Sequence, residues 1–275
     1  MKSNKQINIF EQRFSEEVID IMAVTGPSGV GAGKAGKETL WTASIPLIAW
    51  KEKDRIITEK VRLCWLTDEK GLREKQAQLH KESIVTLQVR KGEGEGEGEG
   101  EGEFMLVSLV DTDTEDKELQ EILEEAQQPI FYHDDKLGTF ELVKGLDLFE
   151  TTIHWGNEEC LLYFNLEEEE EMNDSLKTAR QLVEEQTTWD ASMKSYAANQ
   201  LIELAKDWQE QDDSAENSEE ITPDQFISRI SLESLHAYPN GEFEAYYHDG
   251  DLFWGHVIIV SGNMNGKFQD AHIAG

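Results

Sequence analysis

Short apolar runs separated by polar or glycine-rich breaks mark most of the chain, and their period sorts them into strands and helices. Residues 18–24 (VIDIMAV) predict a strand, followed by the stretch TGPSGVGAGKAGK at 25–37. Residues 38–50 (ETLWTASIPLIAW) read as a second strand, with Pro46 predicting an edge or bulged position. Residues 55–66 (RIITEKVRLCWL) read as a third. A helix follows, with Thr67 as its expected N-cap, Leu72 and Leu79 at helical spacing, and Gly71 weakening it. Residues 83–90 and 104–110 are two further strands. Strand, strand, strand, helix, strand, strand is the order of the OB-fold barrel. A helix at TEDKELQEILEEAQQP, stopped by Pro129, closes this part of the chain.

The pattern then changes. Strand-like segments at 139–143, 149–155 and 159–166 are punctuated by Leu137-Gly138 and Gly156-Asn157. A five-Glu run at 167–171 separates them from a long helical stretch. There Leu176, Ala179, Leu182 and Val183 share one face, and Met193, Ala197, Leu201, Leu204 and Trp208 repeat it, which predicts two helices with a break near Thr188. A short helix capped by Thr222, with Pro223 at its first position, precedes a meander of SLHAY, EFEAYYH, LFWGHVIIV and KFQDAHIA. The expected organisation is α+β throughout. An OB-like β-barrel domain occupies residues 1–129, and an acidic domain of antiparallel strands with inserted helices occupies 130–275.

Composition sharpens this picture in three places. A hydrophobic fraction of 38% is that of a folded protein, so wholesale disorder is excluded. The formal charge of −32 is uneven: residues 1–129 hold 17 Lys and Arg against 26 Asp and Glu, the remainder 8 against 31. Such a surface repels polyanions, which argues against nucleic acid and anionic membrane as partners. Six of the N-terminal acids sit in the Gly-Glu repeat at 92–103, which reads as a solvated loop between two strands of a hairpin. Cys64 and Cys160 each lie in a strand-like run and suggest neither a disulfide framework nor a Cys-based metal site. With no signal-like start and no membrane-length apolar run, the expected location is the cytoplasm.

The glycine stretch invites a phosphate-binding reading. A Walker-type loop needs Gly-x4-Gly-Lys-Ser/Thr entering a helix. From Gly31, GAGKAGKE supplies the glycines and Lys37 but places Glu38 where the hydroxyl belongs. The opening GPSGVG is similar to the guanylate kinase loop, yet Ala32 stands where Lys is required. A β-patterned run with proline follows, so no helix N-terminus meets a phosphate. No nucleotide and no cofactor is expected.

At the C-terminal half, DDKLGTFEL, the Trp-Gly pair at 155–156 and GDLFWGHVIIV resemble the bacterial domain-of-unknown-function family 2262 over about residues 130–275. SGVGAGKAGKETLWTASIPLIAW is similar to the module often found in front of that domain. The resemblance implies a bacterial α+β protein and no particular activity.

Candidate chemistry concentrates in YYHDGDLFWGH, residues 246–256. His248, Asp251, Phe253, Trp254 and His256, joined by His133, Asp134 and Asp135, could line a ligand pocket. If Asp249-Gly250 is a two-residue turn, His248 and Asp251 pair on one face, too few ligands for a metal site alone. No catalytic nucleophile is apparent. Trp41, Trp50 and Trp65 could stack bases on an OB-like face, but no Lys/Arg cluster accompanies them and core positions account for them. The leading expectation is a non-enzymatic protein that binds a basic protein partner, in the manner of small acidic toxin-neutralising proteins. The alternatives are a metal-dependent hydrolase using the 246–256 hairpin and single-strand nucleic-acid binding by the first domain.

Overall fold

A computed structural model describes residues 2–92, 102–211 and 220–275. Most of the Gly-Glu repeat, and the acidic loop expected after residue 211, lie outside the described residues. By contacts the chain divides into two units, Met1–Gln128 with Lys144–Leu146, and Pro129–Val143 with Asp147–Gly275.

The first unit begins with α1 (Lys2–Glu11), an amphipathic element absent from the sequence expectation, and continues through seven strands and two further helices: β1 (Ile19–Thr25), β2 (Gly31–Gly33), β3 (Trp41–Glu52), β4 (Arg55–Ile57), β5 (Val61–Thr67), α2 (Glu69–Gln78), β6 (Ile84–Lys91), β7 (Gly102–Asp111) and α3 (Lys117–Gln127). β1 pairs antiparallel with β3 and β6, β3 with β5, and β6 with β7, while β5 and β7 run parallel. These pairings close a five-stranded barrel with α2 between its third and fourth strands, the OB-like arrangement the element order predicts. Inward alternation fills it with Ile21, Ile45, Leu47, Leu63, Leu87 and Val89. Trp50 and Trp65 belong to that core, and Trp41 packs against it.

Several local expectations change. Residues 55–66 are two strands, not one, because Val61 begins a new ladder on β3 after the β3–β4 turn. β3 is not an edge. It is flanked on both sides and bulged, its register on β1 jumping from Ala49 to Leu47. Pro46 sits where pairing to β2 has ended and pairing to β1 begins, so its missing N–H breaks no ladder bond. The α2 N-cap is Asp68 rather than Thr67, its carboxylate accepting from the Gly71 amide at 2.8 Å. A Cβ on Gly71 would collide with the Thr67 hydroxyl, which is why glycine sits inside this helix. After Lys37 the chain extends into β3, as expected, and no helix N-terminus follows the glycine stretch.

The second unit contains β8 (Phe131–Asp134), β9 (Gly138–Val143), β10 (Leu148–Trp155), β11 (Glu158–Asn165), α4 (Glu169–Glu184), α5 (Gln186–Glu210), α6 (Pro223–Arg229), β12 (Ser231–Ala237), β13 (Glu242–His248), β14 (Val257–Asn263) and β15 (Lys267–Ala274). Two antiparallel meanders, β8–β11 and β12–β15, fuse through one parallel pair, β11 with β12, into a single eight-stranded sheet in chain order. The Glu run does not merely separate elements. Glu169–Glu171 form the first turn of α4, where carboxylates meet the positive end of the helix dipole. The break between the long helices falls at Glu185. α6 starts with Thr222 as its cap, as expected, and Gln225 closes a capping box on it.

Strand alternation divides the sheet. Phe149, Leu162, Phe164, Leu235, Phe243, Ala245, Ile258 and Val260 form one core with Leu176, Ala179 and Leu182 of α4 and Met193, Ala197 and Leu201 of α5. Their neighbours in sequence point to the opposite face.

Candidate functional site

The 246–256 segment is not a two-residue hairpin. β13 ends at His248, which pairs with Val257, and residues 249–256 form a loop between them. Its centre is Asp249, a buried carboxylate. Oδ1 accepts from the Asp251 amide at 3.2 Å, and Oδ2 accepts from the amides of Phe253 and Gly255 at 2.6 and 3.0 Å. Gly250, Asp251, Trp254 and Gly255 all adopt positive φ, at 57°, 63°, 55° and 88°. A non-glycine residue rarely accepts this conformation, and Trp254 does so with 59% of its surface exposed. Phe253 is buried under the Trp208 ring, and the rings of Trp254 and His256 lie 4.7 and 5.2 Å from that same ring. His256 Nδ1 bonds the Phe253 carbonyl at 2.6 Å.

His248 and Asp251 are therefore not cross-strand partners, a correction to the sequence expectation. The loop carries six residues more than a two-residue turn, and Asp249 gathers its amides. His133, Asp134 and Asp135 lie at the β8–β9 turn, and β8 is separated from β13 by four intervening strands, about 24 Å at ordinary strand spacing. The structure does not bring the two groups together. His133 bonds the Thr139 hydroxyl at 3.2 Å, and Asp135 is fully exposed. Asp134 is buried, its Oδ1 accepting from the amides of Lys136 and Leu137 and its Oδ2 from Nε and one terminal nitrogen of the Arg180 guanidinium. Burial works to raise its pKa, but Arg180 and the two amides outweigh it and hold the carboxyl below its ordinary range. Among the described residues, no three His, Cys, Asp or Glu side chains come together as a metal-holding group.

The constellation that sequence reading missed lies on the sheet face turned away from the helices. Directly paired positions carry Glu150, Tyr163, His236, Glu244, Ser261 and Asp270 in one row across β10–β15. The next row carries Thr152, Leu161, Ser234, Tyr246, Ile259 and His272. Tyr238 and Tyr246 both donate to Glu244 Oε2, at 3.0 and 2.7 Å. His236 Nε2 bonds Asn165 Oδ1 at 2.9 Å. Burial lowers the His236 pKa against the opposing pull of Glu244 and Glu167, so the ring is neutral at pH 7. Burial, then the Glu150 charge, pushes the Tyr163 hydroxyl up to about 12. His248 also projects from this face, 3.9 Å from Glu233, the extra residue of a β-bulge in β12. The strands β8–β14 contain no Lys or Arg. The signal that could have found this face was the period-two register of tyrosines and carboxylates along four strands, which becomes a cluster only once strand order is known.

The family model described as an uncharacterized protein conserved in bacteria (DUF2262) matches residues 134–273, just over half the chain. The chain belongs to that family. A domain of unknown function (DUF7021) matches residues 6–126, the N-terminal companion. No curated protein and no solved structure matches the chain. Residues that carry the likeness have structural tasks here. Trp155 Nε1 donates to Asp190 at 3.1 Å and the Gly156 amide to Gln186 at 2.6 Å, tying the β10–β11 turn to the start of α5. Among the described residues, no helix is long and apolar enough to cross a membrane.

Proposed function

We propose that the second unit is a docking module for a protein with a basic surface, and that the partner seats on the open face of the eight-stranded sheet. The observation that carries this reading is the face itself. Glu150, Glu233, Glu244 and Asp270 stand among Tyr163, Tyr238 and Tyr246, and strands β8–β14 hold no positive side chain. Tyrosine rings supply stiff amphipathic contact area, and a ring beside a carboxylate favours an incoming Lys or Arg through both its quadrupole and the charge. The wider excess of acids, 31 against 8 beyond residue 129, would steer a basic partner toward the unit. Eight strands span about 34 Å, and a seven-residue strand about 23 Å. That is of the order of one side of an ordinary protein interface, about 800 Å². No catalysis is needed for such a role, and neutralising a basic toxin is one form it would take.

Affinity capture from host lysate, with the wild-type chain and a Glu150→Lys/Asp270→Lys variant side by side, tests the proposal. The expected result is a partner of high isoelectric point that is held at low salt, released at high salt and absent from the variant. A partner retained equally by both proteins, or indifferent to salt, overturns it.

A further inference from the structure

We propose a second, independent site in the first unit: a cleft between α1 and the 26–40 connection that takes a small organic anion, namely a phosphate monoester on an apolar body. The cleft encloses about 410 Å³, within the range of small-molecule sites. Its floor is Thr42 of β3 and Leu66 of β5, the second and third strands of the barrel. That surface, with the loop joining the first two strands, is where barrels of this topology hold ligands.

The cleft is preformed. The Gln6 side chain reaches from α1 to the far wall, its carbonyl accepting from the amides of Thr39 and Leu40 at 3.2 and 3.1 Å, and its amide donating to the Leu40 carbonyl at 3.1 Å. One end is apolar, formed by Phe10, Leu66 and an Ile9 side chain that is 56% exposed. The other end is cationic. Lys5 and Lys37 line it beside Glu38, whose carboxylate accepts from the Ala35 amide at 3.1 Å, and among the described residues neither ammonium is in an ion pair. Arg13, also in the lining, is already committed to Glu103 and lies over the rings of Phe10 and Phe14.

Two ammonium groups outside any ion pair, against the single free carboxylate of Glu38, make this cleft an exception in a chain of formal charge −32. A monoester carries close to two negative charges at neutral pH, matching the pair, and the Thr42 hydroxyl can donate to a further oxygen. With an extended strand after Lys37, side chains rather than helix amides do the holding. The site therefore suits one compact anionic head, not a triphosphate chain.

Isothermal titration of the full chain with 1-naphthyl phosphate, 1-naphthol and inorganic phosphate tests this. 1-Naphthyl phosphate is expected to bind, and both fragments to bind more weakly. Lys5→Glu/Lys37→Glu is expected to weaken 1-naphthyl phosphate by about tenfold or more, as removal of two charge contacts implies. Lys5→Gln/Lys37→Gln should fall in between, and Lys70→Glu/Lys81→Glu, the same charge change on α2 and the segment after it, should stay within about twofold. Absence of binding, equal binding by every variant, or equal binding of 1-naphthol overturns the proposal. So does a single-stranded oligonucleotide that binds more tightly than 1-naphthyl phosphate and is lost in the same variant.

Discussion

The imidazole of His236 lies flat against the ring of Tyr238, centroids 4.3 Å apart and planes 17° from parallel. Stacking on one side, the Asn165 bond at its edge and the sheet beneath leave the ring half-buried, so its charged form is disfavoured. Because the folded pKa is depressed below the ordinary 6.5 of histidine, the unfolded chain binds the proton first as pH falls. This contribution to stability is intact above about pH 6.5 and is lost progressively below it. Urea unfolding at pH 7 and pH 5 should show a larger loss of stability in the wild type than in His236→Gln. An equal loss in the two proteins would remove His236 from the account.

Asp249 makes a second expectation quantitative. Its buried carboxylate holds three amides of the 249–256 loop, each a charge-assisted bond. Asp249→Ala should cost about 3 kcal/mol, the range for losing charged hydrogen bonds while leaving amides unsatisfied. Gly250→Ala should be comparably severe for a different reason. Its φ of 57° is left-handed, and an added Cβ would collide with the Arg229 carbonyl. Equilibrium denaturation of both variants is the measurement, and a loss under about 0.5 kcal/mol in either would contradict the loop geometry.

What the sequence made legible follows from which interactions are local. The barrel order was readable because its strands are short apolar runs, with glycine-rich breaks after β1 and β6 and a capped helix after β5, whereas the β4–β5 break at TEK holds no such signal and was read through. The α6 start was readable because its cap Thr222 and Pro223 are adjacent, although the Gln225 arm of the capping box was not anticipated. Short β8 and the helix at Lys2–Glu11 were not. The first is only four residues long, and the second depends on a surface supplied by Cys64 and Met105 far along the chain. The sheet face fared worst. Tyr163, His236 and Glu244 come from strands separated by three helices or a hairpin, and nothing in the local pattern announces the parallel β11–β12 join that aligns them. The 246–256 cluster was found by its density of chemical letters, yet Asp249 spends its charge on amides, and no density of letters reveals that.

The Asp134–Arg180 pair predicts an acid-sensitive step. Asp134 is buried while Arg180 remains a third exposed, so solvent screens part of the attraction. The folded pKa lies below the ordinary carboxylate value, so this stability is present above about pH 4 and disappears as pH drops through the folded pKa. Arg180→Ala strands a buried carboxylate and should cost about 1–3 kcal/mol at pH 7. Asp134→Asn should flatten the stability profile below about pH 4 relative to the wild type. Acid titrations followed by circular dichroism compare the two, and parallel curves would assign the acid response elsewhere.

The last expectation concerns how α1 is held. Phe10 and Phe14 pack on Cys64 and Met105, on the outer side of the barrel, opposite the core that Leu63 and Trp65 enter. The chain leaving the helix is fastened by Arg90, whose guanidinium donates to the carbonyls of Glu11, Phe14 and Ser15. Those carbonyls include the helix end, which otherwise lacks partners, and the cation also meets the negative end of the dipole. A ten-residue helix is marginal in isolation, so its existence rests on these two devices. Phe14→Ala should cost about 3–4 kcal/mol, the range for truncating a buried aromatic. Arg90→Ala should cost less but act locally, raising amide exchange in residues 8–14 while leaving the barrel strands protected. Hydrogen exchange read by peptide separates these outcomes. Uniform deprotection of the whole first unit in Arg90→Ala would mean that the guanidinium supports the barrel itself, and unchanged exchange at 8–14 would mean that Phe10 and Phe14 hold the helix without it.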